Sequence, residues 1–466
     1  MLEKYIDNFK NEIIEETCKI INIPSVSEET GNPNMPFGEG AKKALEYTLE
    51  LGKKLGFRTK NIDGYCGYIE FGEGEKLVGI IGHLDVVPSG DGWETPPFNA
   101  TIKDNKIYGR GAIDDKGPVI SSLYAMKAVK DNLHINARVR LILGINEEKD
   151  WKCIEHYKQV EESPTVSFSP DANFPCIYAE KWITTAYLKE DYSKYSNSPI
   201  VINEIDCNNN AINVVPKFCK ATLSVDTSKI SISDVTEFID SEIANLNFDI
   251  QYNVTNNSIE LISSGVQAHA AHPELGTNAI SRMIILLSRI FKKFNCPISF
   301  LDFFENHINT EFDGKSLNIN IEDESGALTL NVGSFELKNN DLNLGINLRI
   351  TVTAQSQEIT DIIFNTAKKY SLDGIVSRVQ EPLYIPKDNE LVQTLCKIFN
   401  EMNNSNYEPI AIGGGTYARA FDNCISFGAN FPGDTDMCHQ ANEFIDIYKL
   451  ILSCKIYARA IYELSK

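Results

Sequence analysis

Three short apolar runs break off abruptly into polar residues: 77–81 into Gly82-His83, 139–145 into Asn146-Glu147-Glu148, and 165–168 into Ser169-Pro170-Asp171. Runs of that length predict buried strands. Helical spacing fills the intervals at 119–130 and 151–161. It also predicts an amphipathic N-terminal helix over 3–22, on Tyr5, Ile6, Phe9, Ile13, Ile14, Ile20 and Ile21, and another over 41–56. Strands alternating with helices imply parallel pairing in an α/β layer fold. Ligands of such sheets gather at the carboxyl ends of the strands, where these polar residues stand.

From residue 183 to 383 the pattern changes to runs of strands, each accompanied by a helix. Strands are expected at 221–225, 248–254, 258–263, 329–337 and 342–351, and helices at 233–244, 277–291 and 358–370. That is an α+β texture. Past residue 386 the first texture returns, with a helix at 390–400, a strand at 424–427, a long loop and a closing helix at 442–464. The expected architecture is α/β. A catalytic domain (1–182 and 384–466) has a mostly parallel central sheet flanked by helices, and an α+β lid domain (183–383) is inserted into it.

Composition narrows the functional classes. The chain has 466 residues, and roughly one domain per 100–200 residues suggests two to three units. Hydrophobic and charged fractions of 42% and 23% are those of a soluble globular protein. A formal net charge of -20 argues against nucleic acid and anionic membrane as partners. Eleven scattered cysteines without a CxxC pair point to a reducing compartment. The charged N-terminus lacks an apolar signal core, and no apolar stretch nears the roughly 18 residues that span a bilayer. A cytoplasmic location is expected.

The strand ends then carry the chemistry. His83-Leu-Asp85 follows the first run, Asp114-Asp115 opens the helix near Val119, Glu147-Glu148 and Asp171 follow the next two, and His439 lies in the loop after 424–427. Each alone is commonplace: a His-x-Asp pair on a surface, an Asp-Asp turn, a charged loop. Their coincidence at one predicted sheet edge is not. Two imidazoles with several carboxylates suit Zn²⁺, Mn²⁺ or Co²⁺. In two-metal sites, with cations roughly 3.5–4 Å apart, a carboxylate commonly bridges, and a further carboxylate is needed as proton shuttle. Glu147-Glu148 can divide those tasks. Gly413-Gly-Gly415 offers backbone for close approach to a ligand. There is no His-Glu-x-x-His or Gly-x-Ser-x-Gly motif.

At this point the motifs resemble a known family. Gly82-His83-Leu-Asp85-Val-Val-Pro88, Gly109-Arg-Gly111-Ala-Ile-Asp114-Asp115-Lys116-Gly117, Asn146-Glu147-Glu148, Ser169-Pro170-Asp171 and Cys438-His439-Gln440-Ala-Asn442-Glu443 are similar, in order, to the di-metal metallopeptidase family of carboxypeptidase G, aminoacylase, succinyl-diaminopimelate desuccinylase and the PepV-type dipeptidases. The resemblance implies two divalent cations, zinc first, with manganese or cobalt as alternatives. His83, Asp114 and Asp171 would hold one; Asp114, Glu148 and His439 would hold the other. Glu147 would activate a water that bridges them, and Asp85 would orient the His83 ring. The Asp114–Asp115 peptide would be cis.

Gly265-Val-Gln-Ala-His269 resembles the family's lid histidine motif, so His269 would polarise the scissile carbonyl. Asn213 and Arg349 resemble lid residues that contact substrate. Gly414, Gly415 and Thr416, in Gly413-Gly-Gly415-Thr416-Tyr417-Ala-Arg419, are similar to the PepV branch. That branch implies hydrolysis of dipeptides with a free N-terminus, by an enzyme able to act as a monomer. Two rivals stand beside it: an N-acyl-amino-acid deacylase or desuccinylase on the same fold, and a non-catalytic module binding a small ligand. An intact Glu147 argues against the second.

Overall fold

The apolar run at 77–81 becomes the middle of a sheet because every residue of strand Leu77–His83 is buried. A strand covered on both faces reads as a continuous apolar run rather than an alternating one. In the computed structural model, which describes residues 2–466, this strand lies between Arg138–Gly144 and Val166–Ser169, parallel to both. Cys424–Ser426 pairs parallel with the far side of Val166–Ser169. The expected parallel core is therefore present. The hairpin Arg58–Ile62/Cys66–Gly72 extends it antiparallel on one side, and Ile177–Glu180 on the other. Helices Lys116–Asn132 and Ile447–Leu464 contact each other and are buried along most of their lengths.

The chain forms two compact units. One comprises Met1–Ala179, Leu383–Ile410 and Gly415–Lys466; the other comprises Glu180–Pro382 and Ala411–Gly414. The second unit contains two four-stranded antiparallel sheets. Their orders are Thr329–Lys338, Asp341–Ile350, Trp182–Asp191, Asp373–Gln380, and Ile200–Asp206, Phe218–Val225, Ser258–Ser264, Ile250–Thr255. Helices Ile232–Leu246, Ala279–Lys293, Ser299–His307 and Ser356–Lys368 accompany them. Ile284, Leu287, Phe300, Leu344 and Ile346 are fully buried in one shared apolar cluster.

Three expectations change. The N-terminal helix is two, Leu2–Asn8 and Lys10–Ile21, interrupted at Phe9, whose ring sits 5.0 Å from Tyr5 and 6.0 Å from Tyr124. The closing helix starts at Ile447 rather than 442, because Phe444–Asp446 pairs with Lys106–Tyr108 and the Asp446 carboxylate caps the helix at Tyr448 and Lys449. Several strands were not expected, among them Arg58–Ile62 and Asp373–Gln380. Both are mostly exposed and carry no apolar run. No helix among the described residues is long and apolar enough to cross a membrane.

Candidate metal centre

Parallel pairing puts the ends of three neighbouring strands side by side in the first unit. His83 is the last residue of Leu77–His83; Glu147 and Glu148 follow Arg138–Gly144; Asp171 follows Val166–Ser169. Asp114 and Asp115 directly precede helix Lys116–Asn132, and their peptide bond is cis. His439 comes from the loop before Phe444–Asp446. Two triads result, His83/Asp114/Asp171 and Asp114/Glu148/His439, and in each the ligating atoms lie within 4.8 Å of one another.

Asp114 is common to both, with one oxygen for each. Its Oδ1 is 3.0 Å from His83 Nε2, and its Oδ2 is 3.2 Å from His439 Nε2. The Nε2 of His83 is also 3.7 Å from Asp171 Oδ2, and that of His439 is 3.1 Å from Glu148 Oε2.

The donor chemistry fits cations. His83 Nδ1–H donates to the Asp85 carbonyl oxygen at 2.9 Å, which leaves a lone pair on Nε2 facing two carboxylates. Such an arrangement requires a proton or a metal ion between the atoms. Burial raises the carboxylates: Asp171 to about 6, Glu148 to about 7, and Glu147 and Asp115 well above the usual range. Burial also opposes ionisation of Asp114, but hydrogen bonds from His439 and His83 outweigh it and hold the group low. Hydrogen bonds to Asp114 and Glu148 push His439 up to about 11. A partly buried cluster this rich in carboxylates, with His439 at its exposed side, calls for compensating positive charge, which divalent cations supply.

Asp85 acts on more than the imidazole. Its carboxylate accepts from the N–H groups of Glu147 at 3.0 Å and Glu148 at 3.1 Å, while Oδ1 is 3.6 Å from His83 Nδ1. It thus sets the backbone that aims the glutamate pair. Asp115 plays a similar part, accepting from the His83 N–H at 3.0 Å.

Glu443 has no role readable from sequence, although it stands in the Cys438–Glu443 segment. It is fully buried. Oε2 accepts from Arg110 Nη1 at 2.6 Å and Gly111 N at 3.0 Å; Oε1 accepts from Ile113 N at 3.0 Å and Asp114 N at 3.2 Å. One carboxylate therefore holds the loop that presents the shared ligand. Its partners are mainly backbone groups some 330 positions away, so no local spacing announces it. Glu443→Gln should keep the shape but forfeit acceptors, and metal affinity should fall about 10–100-fold. Calorimetric metal titration measures it; unchanged affinity would show that the cradle does not position Asp114.

The second unit holds other expected site residues. Ala271 N–H donates to His269 Nδ1 at 3.2 Å, so the neutral ring carries its proton on Nε2. Ala270 N–H donates to the Asn213 carbonyl oxygen at 2.9 Å. Buried Arg349 donates from Nη1 to Gly413 O at 2.6 Å and from Nε to Asn347 Oδ1 at 2.9 Å, which brings it to the glycine run next to Gly414. Gly415 and Thr416 belong to the first unit. There the Thr416 hydroxyl is 2.7 Å from Ser426 Oγ and accepts from Ala418 N at 3.2 Å.

Known proteins share this arrangement of sequence and fold. A protein named "Putative dipeptidase YtjP" from Bacillus subtilis (strain 168) is 39% identical over 464 residues, covering 98% of each chain. Another, "Putative dipeptidase SH1171" from Staphylococcus haemolyticus (strain JCSC1435), is 33% identical over 469 residues, covering 100% of this chain and 99% of its own. Human carnosine dipeptidase 1 shares the fold, with a TM-score of 0.59 at 16% identity over 100% of this chain and 98% of that one. The family match runs over residues 79–463, from the strand that ends at His83 to the closing helix, and takes in every position of both triads; the chain belongs to peptidase family M20/M25/M40.

Proposed function

We propose that this protein hydrolyses the peptide bond of dipeptides with a free N-terminus, the first unit being catalytic and the inserted unit serving as its lid. The observation that carries the reading is the pair of ligand triads sharing Asp114, with Glu147 beside them. The names of relatives that match over nearly their whole length support the substrate class. His83, Asp114 and Asp171 would hold one cation and Asp114, Glu148 and His439 the other. Zinc is the ion this ligand set favours. Ions bound by these residues would supply Lewis-acid chemistry, the polarising of a carbonyl and the acidifying of water.

The chain's own groups do the rest. Glu147 takes a proton from the attacking water and returns it to the departing amine. Asp85 keeps Glu147 and Glu148 in place through their N–H groups. His269, protonated on Nε2, offers a donor to the oxygen on which negative charge develops. Arg349, Asn213 and the stretch Gly414, Gly415, Thr416 bind the substrate. Arginine suits the C-terminal carboxylate, which it can meet with two parallel hydrogen bonds. The eleven scattered cysteines, with no CxxC pair, support a reducing compartment, the cytoplasm.

Turnover by metal-stripped protein reloaded with Zn²⁺, Mn²⁺ or Co²⁺ tests this. The panel is a plain dipeptide, its N-acetylated form, an N-succinyl amino acid and a tripeptide. Metal-dependent cleavage of the free dipeptide, with the blocked forms inert, is expected. Preference for a blocked substrate would move the protein to the deacylase reading with the same ligands. Absence of cleavage with every metal would leave the binding module.

A further inference from the structure

Away from the metal centre, the second unit brings two thiols together. Cys207 directly follows strand Ile200–Asp206. Cys219 lies on the antiparallel neighbour Phe218–Val225, at the position that continues the register set by Asp206 opposite Lys220. Their sulfur atoms are 3.4 Å apart. They are not bonded to each other; Cys207 is half-buried and Cys219 is fully buried. The Cys207 thiol is also 3.3 Å from the Phe335 carbonyl oxygen, which keeps its sulfur beside Cys219.

A disulfide requires Cα atoms about 4.4–6.8 Å apart and an S–S bond of about 2.05 Å. Residues facing each other on antiparallel strands lie about 4.5–5.5 Å apart, so the backbone spacing suits a bridge. The sulfurs need to close only a little over an ångström.

Between the thiols runs the loop 208–218, which is tied down on two sides. Asn331 Nδ2 donates to Ile212 O at 3.2 Å and Val214 O at 3.0 Å, and a Cβ at Gly333 would stand 2.3 Å from Ile212 O. The loop is thus pressed onto strand Thr329–Lys338. On its other side, Val215 N donates to Ala268 O at 2.8 Å and Ala270 N to Asn213 O at 2.9 Å. Those two bonds flank His269. The thiol pair is therefore the neck of a loop whose far end carries Asn213 and braces the His269 segment.

We propose that Cys207 and Cys219 form a reversible dithiol–disulfide modification site, oxidised by hydroperoxides, whose bond staples the neck of the loop that carries Asn213. The Cys207 thiolate attacks the O–O bond of hydrogen peroxide; Cys207 becomes a sulfenic acid, and the departing hydroxide leaves as water with the thiol proton. The Cys219 sulfur then attacks the sulfenic sulfur, forming the S–S bond and expelling the oxygen as a second water with the Cys219 proton. Two thiols are oxidised and one peroxide is reduced. The accessible partner meets the oxidant and the buried one resolves it. Disulfides in reducing compartments are commonly redox-sensing in this manner.

The test treats full-length, metal-loaded protein with hydrogen peroxide, alkylates the remaining thiols after unfolding, and maps the peptides by mass. The expected result is the loss of two of the eleven thiols, one bridged peptide joining Cys207 to Cys219, and full recovery with dithiothreitol. Amide exchange in 208–218 should slow in the oxidised form. Cys207→Ser should abolish the bridge and leave Cys219 alkylatable. Where Cys207→Ser does not fold, mapping of the unsubstituted chain still decides. A bridge between other cysteines, or no bridge at peroxide levels that oxidise an exposed control thiol, would overturn the proposal. Because the readout is the bond itself, that failure leaves the reading of the metal centre untouched.

Discussion

Glu147→Gln is expected to bind both metal ions as the native protein does and to lose about 10²–10⁴-fold in kcat. The residue belongs to neither triad, so the ligands are intact. Its N–H still donates to Asp85 Oδ1, so the loop it shares with Glu148 keeps its course. What disappears is a carboxylate that can take a proton. Burial, with the negative charges of Asp171, Glu148 and Asp85 around it, raises this group far above an ordinary glutamate. That is the direction a proton shuttle working near neutrality requires. Steady-state turnover with metal content measured on the same sample separates the roles. Near-native kcat would remove Glu147 from the proposed chemistry, and a loss of metal would make it a ligand.

Asp114→Asn should have the largest effect on metal binding, because its two oxygens face different imidazoles. An amide presents one oxygen and one NH₂, so it can serve one triad at most and adds a donor where the other needs an acceptor. Titration of the stripped variant should lose one binding event and weaken the other, whereas Asp171→Asn, in one triad only, should affect one event and leave the other as in the native protein. Thermal unfolding gives a second readout. A ligand at about 100 times its Kd stabilises the folded state by about 2.7 kcal/mol, so added metal should raise the native Tm by more than that of the Asp114 variant. Two separate events persisting in Asp114→Asn would refute a shared ligand.

These expectations rest on residues of unequal visibility. All the triad residues but His439, which stands in a loop, are legible because they end an apolar run or open a helix, and parallel strands expose their carboxyl ends on one side of a sheet. His83, Glu147, Glu148 and Asp171 follow from that rule with no coordinates at all. The inserted unit is legible in outline from its change of texture at residue 183. Its polar strand Asp373–Gln380 is not, since an exposed edge carries no hydrophobic period.

What the sequence by itself determined is the α/β class, the alternation that makes the central strands parallel, and the identity of the groups at their ends. Local periodicity and burial dictate those, and they are properties of neighbouring residues. The tertiary structure alone decided which groups meet: that Asp114 gives an oxygen to each imidazole, that Asp85 holds the Glu147-Glu148 backbone, that Glu443 cradles the Gly111–Asp114 loop, and that Cys207 stands against Cys219. Each of these is a contact between distant segments, or between a side chain and main-chain N–H groups common to every residue type. Only folding brings such partners within hydrogen-bonding distance, so periodicity and spacing do not mark them; the sharing of Asp114 alone is implied beforehand, by the resemblance of the motifs to the family.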